Sequence, residues 1–505
     1  MKRPRPALAA LWVLCAVLMC SGAWTALDAA APGRASAESE ASVVAPLASA
    51  QASQDGPQAT IRVPSGSLGT PLLPRLRSVL GLAVLLLIAW LMSTDRSRVA
   101  WRVVIWGTIL QILFALFILK TPVGAGFFDG VNRVVVALLG FTVDGAQFVF
   151  GNLVWNNVPV GTGEVGQGAF QAMPGQVANT GAMFAFNVLP TIIFFSSLMT
   201  VLYHLGIMQL AVKGVAWVMQ RTMRTSGAET LSAAGNIFVG QTEAPLLIKP
   251  FVDRMTQSEL MAVMTGGFAT VAGGVLAAYV GILLAYFPDI AGHLIAASVM
   301  SAPAALVVAK LMVPEDGEPE TAGSLEINVE RPDVNVIDAA ARGASEGLFL
   351  ALNVGAMLLA FIALIYLLNG LLGWATGLVG LEGITLEQIL GYVLAPLAWL
   401  MGVSWTDAPA VASLLGVKTV LNEFFAYFQL AGTLGGPTGL EPRSIIIATY
   451  ALSGFANFSS IAIQLGGIGG IAPSRRHDLS RLGLRAMIAG SIAAFMTATV
   501  AGMVL

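Results

Sequence analysis

Two carboxylates lie where a charge is costly. Glu243 sits in the run Gly240-Gln241-Thr242-Glu243-Ala244-Pro245 and Glu423 in Asn422-Glu423-Phe424-Phe425, and both runs interrupt long apolar stretches. A charge at the centre of a bilayer costs about 3 kcal/mol or more, so carboxylates kept there usually serve function. A carboxylate of this kind can accept charge-assisted hydrogen bonds from hydroxyls or help to hold a cation. The structural alternative is that each caps a broken helix or satisfies backbone amides. No base neighbours either acid in the chain. Lys418 precedes Glu423 by five residues, a spacing that does not place two side chains on one helical face.

Residues for covalent or metal chemistry are missing from the pattern. His204, His293 and His477 are scattered without HExxH spacing, and the apolar stretches hold no GxSxG and no paired aspartates. Cys15 and Cys20 are the only cysteines, both in the first apolar stretch, so neither a disulfide framework nor a Cys-based metal site is available. The chemistry on offer is recognition, and an enzyme is not expected.

The composition says what must position these groups. The 505 residues are 56% hydrophobic and 11% charged, with a mean hydropathy of +0.79. Soluble domains carry roughly 25% charged residues, so this chain must turn its outer surface to the lipid bilayer. A net charge of −2 gives no basic face for nucleic acid.

Residues 1–28 follow the signal-peptide order: Lys2, Arg3 and Arg5, then an apolar run, then small residues. An uncleaved first helix is the alternative. Residues 29–77 are rich in Ala, Ser, Pro and Gly and read as a linker. Apolar stretches long enough to cross a hydrocarbon core of about 30 Å follow at 78–93, 103–119, 183–203, 260–287, 290–313, 347–371, 445–471 and 486–505. The segment 123–178 is expected outside, part of it as an interfacial helix. Loops rich in arginine and lysine belong in the cytoplasm. That places Arg96, Arg98 and Arg102 inside, together with Arg475, Arg476, Arg481 and Arg485. Lys213, Arg221 and Arg224 precede the stretch 226–248, and Lys249 and Arg254 follow it. Both groups ask for the same side, so that stretch must turn back as a re-entrant hairpin.

The expectation is therefore an all-α polytopic membrane protein with about eight transmembrane helices and two re-entrant hairpins in inverted repeats. Each hairpin carries a glutamate and precedes a helix interrupted by glycine, at Gly267-Phe268-Ala269-Thr270-Val271-Ala272-Gly273-Gly274 and at Gly454-Phe455-Ala456-Asn457-Phe458-Ser459-Ser460. Broken helices in corresponding positions of inverted repeats are the pattern of secondary transporters. The implied division is 78–205 as N-terminal transmembrane and interfacial helices of a scaffold and 206–313 as the first hairpin repeat. An acidic loop and scaffold helix fill 314–380, and the second repeat with the C-terminal helix fills 381–505. The C-terminus is expected outside.

The run from Asn236-Ile237-Phe238-Val239 through Gly240-Gln241-Thr242-Glu243-Ala244-Pro245-Leu246, with Asn422-Glu423-Phe424 and the run from Gly454 to Ile461, resembles the concentrative nucleoside transporter family across roughly 78–505. The resemblance implies a sodium-coupled nucleoside symporter of the inner membrane, a homotrimer whose protomers each carry a scaffold and a mobile, elevator-type transport domain. It assigns Gln241, Thr242 and Glu243 to the nucleobase, with Val275 and Phe455 packing on the base. Glu423, Asn457 and Ser460 fall at the ribose. It assigns sodium to Asn236, the carbonyl of Val239, Thr270 and the carbonyl of Val271. Thr270 stands where family members often have serine, which keeps the hydroxyl. Because an amide both donates and accepts, Gln241 suggests breadth toward bases. Proton coupling through Glu243 or Glu423 is the alternative to sodium. A channel and a nucleoside-binding protein that does not transport are the competing classes.

Overall fold

A computed structural model describes residues 69–155, 157–164, 167–179, 184–323, 333–378, 380, 384–434 and 439–505. The expected targeting segment and most of the linker lie outside the described residues.

Helix α1 (Leu72–Leu91) and helix α2 (Trp101–Lys120) are apolar nearly all round, as lipid contact requires. The basic turn between them is closed by Asp95, whose side chain accepts from the Ser97 amide. The Thr121 hydroxyl accepts from Gly124 N at 2.9 Å and starts α3 (Pro122–Phe150), an unbroken helix of 29 residues. At 1.5 Å per residue it is about 43 Å long, and it passes the same test of length and apolarity as the crossing helices. The expected outside segment is thus helical over its first half.

Its second half departs from an all-α fold. β1 (Asn157–Glu164) and β2 (Gln167–Asn179) pair antiparallel, with Asn157 opposite Asn179 and Glu164 opposite Gln167. Gly161, Gly163, Gly168, Gly175, Pro159 and Pro174 make this stretch a poor helix. Paired strands satisfy its backbone instead.

Helix α4 (Leu189–His204) bends by 76° into α5 (Ile207–Met223). Hairpin one follows: α6 (Gly227–Gly235), a non-helical tip, a 3-10 turn (Ala244–Ile248) and α7 (Lys249–Val252). Next come α8 (Gln257–Ala269), α9 (Gly273–Leu283) and α10 (Ile290–Met312). Helix α11 (Val336–Gly377) runs for 42 residues, about 63 Å, and must tilt or emerge from a bilayer. Helix α12 (Leu386–Met401) leads to hairpin two, formed by α13 (Ala408–Val420) and α14 (Glu423–Leu434). Helices α15 (Pro442–Leu452), α16 (Phe458–Ile471) and α17 (Arg476–Val504) complete the chain.

Among the described residues seven helices are long and apolar enough to cross a membrane, or eight if the bent α4–α5 pair is one span. The interrupted segments stop where the sequence places polar or glycine residues. Helix α8 ends at Thr270, whose backbone is extended, and α9 restarts after Ala272. Helix α15 ends at Ser453 and α16 restarts after Asn457. Hairpin, broken helix and long helix therefore occur twice in the same order.

The core gathers around α10, whose residues are almost all buried, and the C-terminal two thirds of α17. Helices α1 and α2 pack against this pair, α8 and α15 lie against α17, and α4 runs along the largely exposed α11.

Candidate functional site

The two breaks cross in direct backbone contact. Gly454 has φ +139°, and a Cβ built there would lie 2.9 Å from the Phe268 carbonyl oxygen and 3.0 Å from that of Ala269. Only glycine satisfies both the dihedral and the approach. Hairpin one is tied to the same point, because Gly273 N donates to Phe238 O at 3.1 Å.

Glu423 opens α14 and is 4% exposed. A carboxylate at a helix N-terminus is favoured by the helix dipole. Its Oε1 accepts from the Tyr279 hydroxyl at 2.8 Å and its Oε2 from Asn457 Nδ2 at 2.9 Å. The Asn457 side chain is held in turn. As the N-cap of α16, its Oδ1 accepts from Ser460 N at 2.9 Å and from the Ser459 hydroxyl at 2.7 Å. Ser460 Oγ accepts from Gln241 Nε2 at 3.3 Å, and Gln241 Oε1 accepts from Gln464 Nε2 at 3.1 Å. One polar chain thus runs from α9 through hairpin two and α16 to the tip of hairpin one.

Val275 is buried one helical turn before Tyr279, and Phe455 is half-buried against the core. Thr242 is half-buried and donates to Glu243 Oε1 at 2.9 Å. Glu243 itself is exposed at the tip and stands apart from the chain joined by Gln241.

The residues matched to sodium surround the start of this tip. Asn236 is fully buried, and its Nδ2 donates to Ser232 O at 3.1 Å. Its Oδ1 has no hydrogen-bond partner, and a buried acceptor left so is costly unless something polar or charged meets it. Gly266 of α8 comes close to the same amide. The Thr270 hydroxyl donates to Gly266 O at 2.9 Å, which leaves its oxygen free to accept. Val239 and Val271 belong to non-helical backbone at the tip and at the break. An orphaned amide oxygen, a hydroxyl oxygen and non-helical carbonyls form a donor set that suits a compact cation.

Three site residues were not anticipated from the sequence. Tyr279 and Gln464 each lie four residues after a recognised position, Val275 and Ser460, and so on the same helical face. That spacing could have found them. Lys418 is the third and corrects the expectation that Glu423 has no basic neighbour. The chain leaves helical geometry at Leu421 (φ −101°, ψ −92°), between Lys418 and Glu423, so helical spacing does not govern this pair, and the two charges interact electrostatically. Lys418 is buried, and its Nζ donates to Ala451 O at 2.8 Å. Tyr427 reaches Thr449 O at 2.7 Å. Both arms of hairpin two therefore satisfy carbonyls near the end of α15.

Fold and site together define a polytopic membrane transporter. Family models match the Na+ dependent nucleoside transporter N-terminus over residues 80–153, nucleoside recognition over 185–286 and the Na+ dependent nucleoside transporter C-terminus over 293–502. An uncharacterized transporter of Bacillus subtilis (strain 168), YutK, is 45% identical over 428 residues, spanning 84% of this chain and 98% of its own length. The chain belongs to the concentrative nucleoside transporter family, whose members are transporters and not enzymes. Sodium/nucleoside cotransporter 1 of Mus musculus is 42% identical over 441 residues, covering 85% of this chain and 63% of that longer protein. The solved structure of CNTnw in an inward-facing substrate-bound state is 41% identical, with a TM-score of 0.75 over 85% of this chain and 98% of the other. A CNTnw variant in an outward-facing state gives a TM-score of 0.77 at 41% identity, over 86% and 98%.

Proposed function

We propose that this protein imports nucleosides by symport with sodium, in an elevator-type alternating-access cycle. The observation that carries the reading is Glu423, a buried carboxylate at the start of α14, held by Tyr279 and Asn457. Vicinal ribose hydroxyls are donors, and a carboxylate accepts them with charge-assisted bonds. Asn457 and Ser460 stand beside it for the same sugar. Gln241, Thr242 and Glu243 take the nucleobase, and Val275 and Phe455 pack on its faces. Sodium is held by Asn236, Thr270 and the carbonyls of Val239 and Val271.

The ion would tie hairpin one to α8 and so order Gln241 and Thr242. Sodium then tightens nucleoside binding, and nucleoside tightens sodium binding by the same factor. The family models, both described as Na+ dependent, favour sodium over the proton. Solved relatives in inward-facing and outward-facing states support alternating access. We place the chain in the inner (plasma) membrane of a bacterium as a homotrimer. Arg475, Arg476, Arg481 and Arg485 face the cytoplasm and Leu505 lies outside, as the positive-inside rule favours.

Radiolabelled uridine uptake into proteoliposomes, with sodium and proton gradients imposed separately, tests this. An inward sodium gradient should drive accumulation, and replacing sodium with choline should abolish it. Uptake indifferent to choline but lost with a protonophore would overturn the sodium assignment.

A further inference from the structure

Gln464 makes no bond to Glu423 or to the tip carboxylate, yet it is fully buried beside the site. Its Nε2 donates to Met264 O at 3.1 Å and to Gln241 Oε1 at 3.1 Å. A carbonyl oxygen can only accept, so the Gln464 atom facing Met264 must be the nitrogen. Turning that amide over would set two oxygens against each other. With its nitrogen fixed by α8, Gln464 offers its second N–H to Gln241, which must answer with its oxygen. The Gln241 nitrogen then points toward Ser460, whose Oγ it reaches at 3.3 Å. The space for this pair of amides is made by Gly267, where a Cβ would lie 2.7 Å from Gln464 Nε2 and 2.8 Å from Gln241 Cβ.

We infer that Gln464 is a positioning residue that locks the Gln241 amide as a hydrogen-bond donor and so sets which bases the site accepts. The inference rests on the nucleoside reading above and narrows it. An unrestrained Gln241 would serve bases of either pattern, but one whose oxygen is held toward Gln464 turns its N–H side toward Ser460 and the base. Uracil and cytosine differ at the edge such a donor reads. Uracil offers N3–H as donor and O4 as acceptor, whereas cytosine offers N3 as acceptor and its amino group as donor. A site with fixed polarity must discriminate between the two nucleosides, and its preference must follow the orientation of Gln241.

Gln464→Glu reverses that orientation. As the neutral acid, the introduced carboxyl gives its one O–H to Met264 O, which cannot turn, and has only lone pairs left for Gln241, so the Gln241 nitrogen must answer it and the Gln241 oxygen turns toward Ser460 and the base. Gln464→Met keeps the bulk and removes the constraint. Competition of uridine and cytidine against radiolabelled uridine on the purified full-length protein gives the affinity ratio without requiring turnover. We expect the wild-type ratio to differ from one by about tenfold or more, the effect of one mismatched buried hydrogen bond. Gln464→Glu should move it to the other side of one, and Gln464→Met should bring it near one. A ratio unchanged within about twofold in either folded variant overturns the assignment. Loss of fold in both variants also overturns it, since Gln464 would then be structural. Absence of nucleoside binding by the wild-type protein would instead sink the nucleoside reading itself.

Discussion

Glu423→Gln should lose nucleoside uptake by about a hundredfold or more while the protein remains folded. The fold survives because the new amide can be accommodated and the buried Lys418 ammonium keeps its own acceptor, Ala451 O. Asn457 cannot turn over, since its oxygen is committed to Ser460 N and Ser459, so Asn457 Nδ2 still needs an acceptor at position 423. The amide oxygen supplies it, and the amide nitrogen faces Tyr279, whose hydroxyl can accept as well as donate. What disappears is the charge and one acceptor oxygen for ribose. Hydrogen bonds to a charged group contribute about 1.5–3 kcal/mol each, and two of them account for a hundredfold or more at about 1.4 kcal/mol per tenfold. Uridine uptake, with elution volume and melting temperature as controls, decides the matter. Near-normal transport by this variant would end the ribose assignment.

Lys310→Met should cost stability and not recognition. Lys310 closes α10 and is 4% exposed. Its Nζ lies 2.7 Å from Glu229 Oε2, 2.9 Å from Glu315 Oε2 and 3.0 Å from Ser258 Oγ. Glu229 and Glu259 complete the capping boxes that start α6 and α8, and Ser226 of the first box donates to Glu259 Oε1 at 2.6 Å. One ammonium therefore fastens the start of hairpin one, the start of the broken helix and the end of α10. Removing it strands Glu229 as a buried charge, at a cost of about 3–5 kcal/mol. The expected result is loss of monodisperse protein in detergent at temperatures the wild type survives, with partial recovery in Lys310→Met/Glu229→Leu. A single variant as stable as the wild type would remove Lys310 from this role.

Much of the site was legible because polar and glycine residues inside an apolar run have few explanations. Gly240 to Pro245 marked the tip of hairpin one, and Asn457 and Ser460 marked the second break where α16 indeed restarts. Lys418 escaped because spacing arguments assume a continuous helix, and the turn at Leu421 invalidates them. Tyr279 and Gln464 escaped because each lies on an otherwise apolar helix, where a tyrosine or glutamine reads as an isolated core residue. The glycines of the 123–178 segment left open how far its expected helix would run. Gly124, Gly126, Gly130, Gly140 and Gly145 weaken a helix in water, but α3 carries them all. In lipid the unpaired backbone of a loop costs more than a glycine does.

The crossing at Gly454 also bears on what kind of medium the site is. Two helix beginnings, at Gly273 and Phe458, and two helix endings, at Ala269 and Leu452, converge where the breaks meet. Beginnings carry bare N–H groups and partial positive charge, and endings carry bare carbonyls and partial negative charge. Liquid water solvates a sugar and a cation with the same two kinds of group, but its molecules must be reoriented around each solute. Here the dipoles are already oriented, since the fold fixes their directions by breaking its own helices. For the sugar and cation proposed to bind here, the crossing would serve as a hydration shell made of peptide.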